Sequence, residues 1–167
     1  MRLRRYRVAV LITRIDHVGI AVTDLDAAVE HYRATFGLLV VSVETNLEQG
    51  VREAMLRVGE AQTPQPDDVQ PAWLQASQVP PASYVQLLEP LGPDTPVGKF
   101  LANRGEGVHH IGYAVDDVAA AMETLTAQGI RVLDERPRHG SLGTSIAFAH
   151  PKDLYGVLTE LVQTVRD

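Results

Sequence analysis

The sequence of 167 residues contains no cysteine, few aromatic residues and no long hydrophobic run. The absence of cysteine excludes disulfide bonds, zinc–thiolate sites and cysteine nucleophiles, and it fits the reducing cytoplasm, where we expect the protein to act. No stretch approaches the roughly 20 apolar residues of a membrane span, so we expect no membrane partner. Aromatic residues make up 5% of the chain and hydrophobic residues 45%, which predicts an aliphatic core.

Positive charge is also scarce. Only 15 lysines and arginines accompany 21 aspartates and glutamates, which gives a formal net charge of -6. No basic stripe interleaved with aromatic residues is present, and this argues against a nucleic-acid partner. An anionic small molecule would need a local basic pocket, because the overall field repels it.

What the chain does contain is an internal repeat. The segment HVGIAVTD that begins at His17 matches HIGYAVDD that begins at His110, 93 positions later. The alternation of side chains in each copy predicts a strand. Each copy ends on an aspartate, Asp24 or Asp117, which is a favourable residue for a helix N-cap.

Both copies predict the same order of elements, a strand, a helix and three further strands. The helices are predicted at 25–36 and 118–128, each with an apolar stripe at helical spacing and a glycine after its end. The further strands are predicted at 39–45, 51–58 and 83–88 in the first copy, and at 131–134, 144–149 and 156–162 in the second.

We therefore expect an α+β fold of paired βαβββ modules. The predicted organisation is an extension at 1–13, a first module at 14–89, a linker at 90–106, a second module at 107–163 and a tail at 164–167. Thr95 and Pro96 predict an N-cap and first position for a short linker helix at about 97–103. Residues 60–82 are rich in proline and lack periodicity, so we expect a loop inserted between two strands of the first module.

Polar side chains occupy equivalent places in the two copies. Strand alternation puts His17 and His110 on the same face as the small residues that follow them, whereas His109 falls on the face that we expect to pack against the helices. The last strand of each copy also carries one strongly polar residue among apolar ones, Gln86 in the first and Glu160 in the second. A buried carboxylate requires a partner, and a metal ion is one such partner.

Two imidazoles, one amide oxygen and one carboxylate form a borderline-to-hard set of ligands. We therefore predict a divalent metal site built from His17, Gln86, His110 and Glu160, with Co²⁺ as the expected ion and Mn²⁺, Ni²⁺, Zn²⁺ or Mg²⁺ as alternatives. The other interpretation is a metal-free protein that binds a small molecule, in which the four side chains only make hydrogen bonds.

Six segments carry a resemblance to a known family. They are IDHVGIAV at 15–22, EQGVRE at 48–53, VQLLEPL at 85–91, GEGVHH at 105–110, FAHPKD at 148–153 and GVLTEL at 156–161. Together they resemble the vicinal oxygen chelate superfamily and, within it, the methylmalonyl-CoA epimerase family. The resemblance covers roughly residues 14–163, and its segments fall in the family's order.

The resemblance implies paired βαβββ modules that curl around a metal cleft, an acyl-CoA substrate and a homodimer. It implies an isomerase that interconverts the C2 epimers of methylmalonyl-CoA by removing a proton through a metal-stabilised enolate. The family's ligands fall on the four residues chosen above, and a catalytic glutamate of some members falls on Glu53. Alternation places Glu53 beside Val51 and Met55, facing a partly apolar cleft. Glu160 is the candidate to act on the opposite face of the substrate.

Two rival enzymes belong to the same superfamily. A glyoxalase I-like lyase acting on a glutathione adduct would have a similar metal site, but the segments at 48–53 and 156–161 favour the epimerase. A ring-cleaving dioxygenase uses a facial triad of three protein ligands, and Gln86 would supply a fourth.

Overall fold

The structure, a computed structural model, describes residues 11–59 and 82–164. It confirms the α+β fold: the described strands form one mixed sheet that curls into a half-barrel, with three helices. In chain order the elements are β1 (Ile12–Ala21), α1 (Leu25–Phe36), β2 (Leu39–Asn46), β3 (Val51–Val58), β4 (Ser83–Pro90), α2 (Pro96–Arg104), β5 (Gly107–Val115), α3 (Val118–Ala127), β6 (Arg138–His139), β7 (Ser145–Ala149) and β8 (Thr159–Gln163).

The strand order β2-β3-β4-β1-β5-β8-β7-β6 shows the sequence repeat in three dimensions. β1 pairs in parallel with β4, and the equivalent β5 pairs in parallel with β8. β1 and β5 pair with each other in antiparallel fashion at the middle of the sheet. The two strands that carry the predicted histidine ligands are therefore direct neighbours.

Local capping explains where the helices begin and end. The Asp24 side chain accepts a hydrogen bond from the Ala27 amide at the start of α1, and Gly37 ends that helix in the left-handed conformation with φ 67°. Asp117 caps α3 in the same way. Thr95 caps α2 by accepting from the Gly98 amide.

Each repeat helix packs on the outer face of its own half of the sheet. The buried core of the first half consists of Val22, Leu25, Ala54, Leu56 and Leu87. The buried core of the second half consists of Val115, Val118, Ala121, Met122, Ala147 and Leu161. Because strand side chains alternate, the residues between these positions point to the inner face of the half-barrel.

The prediction of a strand at 131–134 is wrong. There Val132 makes only an isolated bridge to Ala149, and the edge strand is the two-residue β6 further along the chain. The carboxylate of Asp134 accepts the hydrogen bond of the Phe148 amide at 2.6 Å, so a side chain replaces the backbone partner that a ladder would need. The last strand also begins at Thr159 rather than at 156, since Tyr155 and Gly156 take positive φ angles in the preceding turn.

β1 begins at Ile12, so the last two residues of the predicted 1–13 extension belong to the sheet. The predicted loop at 60–82 lies outside the described residues except for Ala82, but Val58 and Ser83 at its two ends are paired neighbours on β3 and β4. Among the helices of the described chain, none is long and apolar enough to cross a bilayer.

Candidate metal centre

Three of the predicted ligands, from three strands, meet at one point inside the half-barrel. His17 Nε2 and His110 Nε2 lie 3.0 Å apart, and Glu160 Oε2 lies 2.7 Å from the first and 3.3 Å from the second. All three residues are buried. We refer to His17, His110 and Glu160 as the triad.

The triad has the chemistry of a cation site. Its three converging atoms all carry lone pairs, which repel one another unless a cation or proton lies between them. Glu160 Oε2 is buried, and its approaches to the two imidazoles lack hydrogen-bond geometry, so it has no hydrogen-bond partner among the described residues. The three side chains could therefore hold a divalent metal ion with nitrogen and oxygen ligands.

The residue that precedes each histidine contacts its other ring nitrogen. His17 Nδ1 lies 3.1 Å from Asp16 Oδ2, and His110 Nδ1 lies 2.9 Å from His109 Nδ1. Because a carboxylate only accepts, Nδ1 of His17 carries the donated proton, and Nε2 is the ring nitrogen that faces the triad. Arg14 donates in turn to Asp16.

Two glycines make room for the histidines. A Cβ atom on Gly19 would overlap the His110 ring, and a Cβ atom on Gly112 would overlap the His17 ring. Each glycine lies on the strand next to the histidine it accommodates, at the same position of the repeat. The two modules therefore interlock, with each histidine lying over the glycine of the other copy.

Glu53, the predicted base, is 1% exposed and lies on β3 beside Val51 and Met55, as alternation predicted. Ser141 Oγ donates to Glu53 Oε1 at 2.7 Å, and Gln86 Nε2 donates to Glu53 Oε2 at 2.7 Å. Gln86 Nε2 also donates to Ser141 Oγ at 2.9 Å. This closed ring of three side chains fixes the orientation of the carboxylate.

Gln86 lies on β4 between the strands of the base and the triad. Its amide nitrogen is used by Glu53 and Ser141, whereas its Oε1 is buried and has no hydrogen-bond partner among the described residues. Gln86 pairs with Gly19, which pairs on its other side with His110, so all three residues lie at the same level of the sheet. An unpartnered buried amide oxygen fits the predicted role as fourth ligand.

The protein environment shifts the pKa values of the acidic groups in opposite directions. Burial raises the pKa of Glu53, and the charges of Glu44 and Glu160 add to that effect, while the hydrogen bonds from Ser141 and Gln86 oppose it. Burial also disfavours the charge on Glu160, but its close contacts with the two triad histidines outweigh burial and lower its pKa to about 2.

The pKa values of His17 and His109 are also shifted in opposite directions. Burial disfavours the charge on His17, but Asp16 and Glu160 outweigh it and raise the pKa of His17 to about 9. Without a metal ion, the triad therefore holds a proton at neutral pH. Burial lowers the pKa of His109 to about 4, helped by the charge of His110, so His109 is neutral at the same pH.

Cavities open on either side of the triad. One, of about 210 Å³, is lined by His17 and Glu160 together with Arg14, Met55, Tyr84 and Ser141. The other, of about 180 Å³, is lined by His110 and His109 together with Val51, Leu88, Phe148 and Leu158. The triad therefore borders two cavities.

Sequence reasoning did not identify Ser141, Asp16 or His109 as part of the site. Ser141 begins a single 3-10 turn in which Leu142 has φ 56°, and no periodic pattern marks that segment. Asp16 and His109 did carry a signal, since both directly precede a predicted ligand at the same position of the repeat.

Comparison with known proteins places this site in a family. The profile described as Glyoxalase/Bleomycin resistance protein/Dioxygenase superfamily matches residues 16–148. Ethylmalonyl-CoA/methylmalonyl-CoA epimerase of Cereibacter sphaeroides is 36% identical, over 92% of this chain and 99% of its own length. Mitochondrial methylmalonyl-CoA epimerase of Homo sapiens is 34% identical, over 90% of this chain and 73% of its own length.

Solved structures agree. A variant of Streptomyces coelicolor methylmalonyl-CoA epimerase in complex with 2-nitronate-propionyl-CoA is 49% identical, with a TM-score of 0.79 over 93% of this chain and 99% of that chain. A methylmalonyl-CoA epimerase in complex with methylmalonyl-CoA and NH4+ is 50% identical, with a TM-score of 0.79 over 92% of this chain and 96% of that chain. These matches span both modules, so the chain belongs to the glyoxalase/bleomycin resistance protein/dioxygenase superfamily and, within it, to the methylmalonyl-CoA epimerase family.

Proposed function

We propose that this chain is a metal-dependent epimerase that interconverts the C2 epimers of methylmalonyl-CoA. The observation that carries the proposal is the buried carboxylate of Glu53, held by Ser141 and Gln86 next to a triad that could bind a metal ion. Identity of up to 50% to epimerases of that name supports the choice of substrate and favours it over the glutathione adduct of a glyoxalase I-like lyase.

The proposed chemistry matches what the site offers. The C2 hydrogen of methylmalonyl-CoA lies between a thioester and a carboxylate, and its removal leaves an enolate with negative charge on oxygen. Such a reaction requires a base near C2 and a means of stabilising that charge. In the half-barrel, Glu53 is the candidate base, and the triad is the candidate site for the stabilising positive charge.

The residues that would hold the metal ion are His17, His110 and Glu160, with Gln86 Oε1 as the fourth ligand. When bound, a divalent ion supplies Lewis-acid stabilisation of the negative charge that develops on the substrate oxygens. The three triad atoms already converge, and the Gln86 oxygen is buried and without a hydrogen-bond partner among the described residues, which supports this set of ligands.

We assign Glu53 as the base that removes the C2 proton from one epimer. Burial raises the pKa of Glu53, which reduces the difference in pKa between its carboxyl group and the weakly acidic C2–H of the substrate. Ser141 and Gln86 each occupy one of its oxygens and fix the carboxylate without supplying a positive charge. This leaves Glu53 a stronger base than a salt-bridged carboxylate would be.

We assign Glu160 first as a ligand and second as the group that serves the opposite face of C2. Its pKa of about 2 makes it a poor proton donor when it contacts both histidines. Glu160 is therefore the weaker base of the two glutamates. A difference in the rate of C2 exchange between the two epimers would reveal its role.

The test is proton–deuterium exchange at C2 of methylmalonyl-CoA in heavy water, followed by NMR with metal-loaded enzyme. The proposal expects exchange and loss of stereochemical purity, and it expects no turnover of a glutathione hemithioacetal. Turnover of the hemithioacetal without C2 exchange would identify the lyase instead. Binding of the CoA ester by protein that never takes up metal, without exchange, would identify a binding protein.

Two further expectations remain predictions. The family resemblance predicts a homodimer, which size-exclusion chromatography with light scattering would test. The expected cytoplasmic location would be tested by fractionating the cells of origin.

A further inference from the structure

The two triad histidines have different partners at the same position of the repeat. Asp16 precedes His17 and His109 precedes His110, and each contacts Nδ1 of the histidine that follows it. Asp16 is a carboxylate, which only accepts hydrogen bonds. His109 is an imidazole, which either donates or accepts at Nδ1 according to its tautomer.

The tautomer of His110 decides whether it can ligate a metal. A neutral imidazole carries its proton on one ring nitrogen only, so Nε2 offers a lone pair to the triad only if the proton lies on Nδ1. The 2.9 Å contact between the two Nδ1 atoms admits one proton between them. If His109 accepts, the Nε2 lone pair of His110 faces His17 and Glu160. If His109 donates, the proton of His110 moves to Nε2 and blocks that position.

We propose that His109 is a positioning residue for the metal centre: its Nδ1 accepts the Nδ1–H of His110 and holds the Nε2 lone pair of His110 in the triad. The inference rests on the proposed metal-dependent function. The ring of His109 is held in place by an edge-to-face contact with Phe100 of α2, with ring centroids 5.0 Å apart. Partners of this kind fix the tautomer and the orientation of ligating histidines.

His109 is not among the three side chains whose atoms converge. The register shift between Gly19 and Ile20 falls at His109, which lines the same cavity as His110, so the prediction that His109 lies on the opposite face is wrong. Its ring contacts Phe100 of α2. Loss of the acceptor should therefore weaken metal binding without changing the number of ions bound.

Two substitutions distinguish the role of His109 as a hydrogen-bond acceptor from its packing against Phe100. His109→Phe keeps an aromatic ring against Phe100 but removes the acceptor. His109→Asn loses the ring but keeps an acceptor, because Asn Oδ1 is bonded to Cγ as His Nδ1 is. The experiment measures Zn²⁺ affinity by chelator competition in both variants and in the wild type, together with thermal unfolding of each protein.

We expect His109→Phe to lower Zn²⁺ affinity by about 10–100-fold at an unchanged stoichiometry, and His109→Asn to stay close to wild type. In the Zn²⁺-loaded protein, NMR should show an Nδ1–H signal of His110 that is protected from exchange in the wild type and in the Asn variant. In the Phe variant the same proton should exchange with solvent. Equal weakening in both variants, or none in the Phe variant, would overturn the inference. Wild-type protein that binds no Zn²⁺ would instead overturn the metal centre, and this inference with it.

Discussion

Among the individual residues, Glu53 has the environment of a working base. It is buried, neutral side chains occupy both of its oxygens, and its raised pKa follows mainly from burial. A buried carboxylate without a positive partner costs free energy, which supports our assignment of Glu53 as the base.

Replacing Glu53 by Gln should lower the rate of C2 exchange by about 10²–10⁴-fold, the usual effect of removing a general base. Metal content should stay at the wild-type level, because the triad and Gln86 remain. NMR of deuterium incorporation and elemental analysis of the same samples would measure both. Residual exchange of one epimer only would indicate that Glu160 serves the other face.

Glu44 provides a matched control for that substitution. It is exposed on β2, directly opposite Glu53 in the strand register, and Glu44→Gln removes the same charge from the same region. We expect the control to keep near wild-type exchange. Wild-type activity in Glu53→Gln with full metal occupancy would show that the base lies elsewhere in the cleft.

The proton held by the metal-free triad gives a pH prediction. The pKa of His17 is raised to about 9, so a metal ion must displace a proton at neutral pH, and Co²⁺ affinity should rise with pH until about pH 9. The same proton stabilises the metal-free fold at low pH, and that contribution is lost as pH rises through about 9. Calorimetric titration in buffers of different ionisation enthalpy would count the released proton, and an affinity independent of pH would refute the prediction.

Part of the site could be predicted from single residues and part could not. Parity and the repeat identified the triad residues and Gln86, because those side chains interrupt apolar strands at equivalent places. Ser141 has no such signal, since it acts through a turn that only the closure of the half-barrel brings to Glu53.

At the scale of secondary-structure elements, the central pair β1 and β5 sets the geometry of the triad. The antiparallel register pairs His17 with Gly112 and Gly19 with His110, so each ring crosses a residue without a side chain. The glycine two residues after each histidine is therefore a steric requirement of the other copy.

Gly19→Ala and Gly112→Ala should each displace the histidine of the opposite copy and abolish stoichiometric metal binding. The reason is that a Cβ at either position overlaps the facing ring. Gly92→Ala is the control, because a Cβ there meets no atom within 4 Å. Elemental analysis of the three variants would decide, and normal metal content in both strand variants would contradict the interlocked arrangement.

The elements that the sequence predicted well are those with local signals. α1 matches its predicted bounds because Asp24 and Gly37 cap it through contacts within a few residues. The strand predicted at 131–134 was wrong because the carboxylate of Asp134 bonds the Phe148 amide, a contact between residues far apart in the chain. The apolar pattern of a sequence does not show where a side chain will accept a backbone amide's hydrogen bond in place of the carbonyl of a neighbouring strand.

For the whole molecule, the repeat predicts that the two modules form the site without the segment at 60–82. β3 and β4 are in register up to the pair Val58 and Ser83. Deleting residues 60–81 leaves Gly59 and Ala82 as a two-residue connection, with glycine in the first place as a type II′ hairpin turn prefers. The shortened protein should keep a cooperative thermal transition and wild-type metal content, and an insoluble or non-cooperative product would show that the segment is structural.

We propose that one metal ion, held between the two modules, makes this chain an epimerase. The most direct test is to titrate metal-free protein with Co²⁺ while NMR follows deuterium incorporation at C2 of methylmalonyl-CoA. We expect negligible exchange without metal, a linear rise in rate as Co²⁺ is added, and saturation at one ion per chain. Exchange at full rate in metal-free protein, or no exchange at saturating Co²⁺, would contradict it.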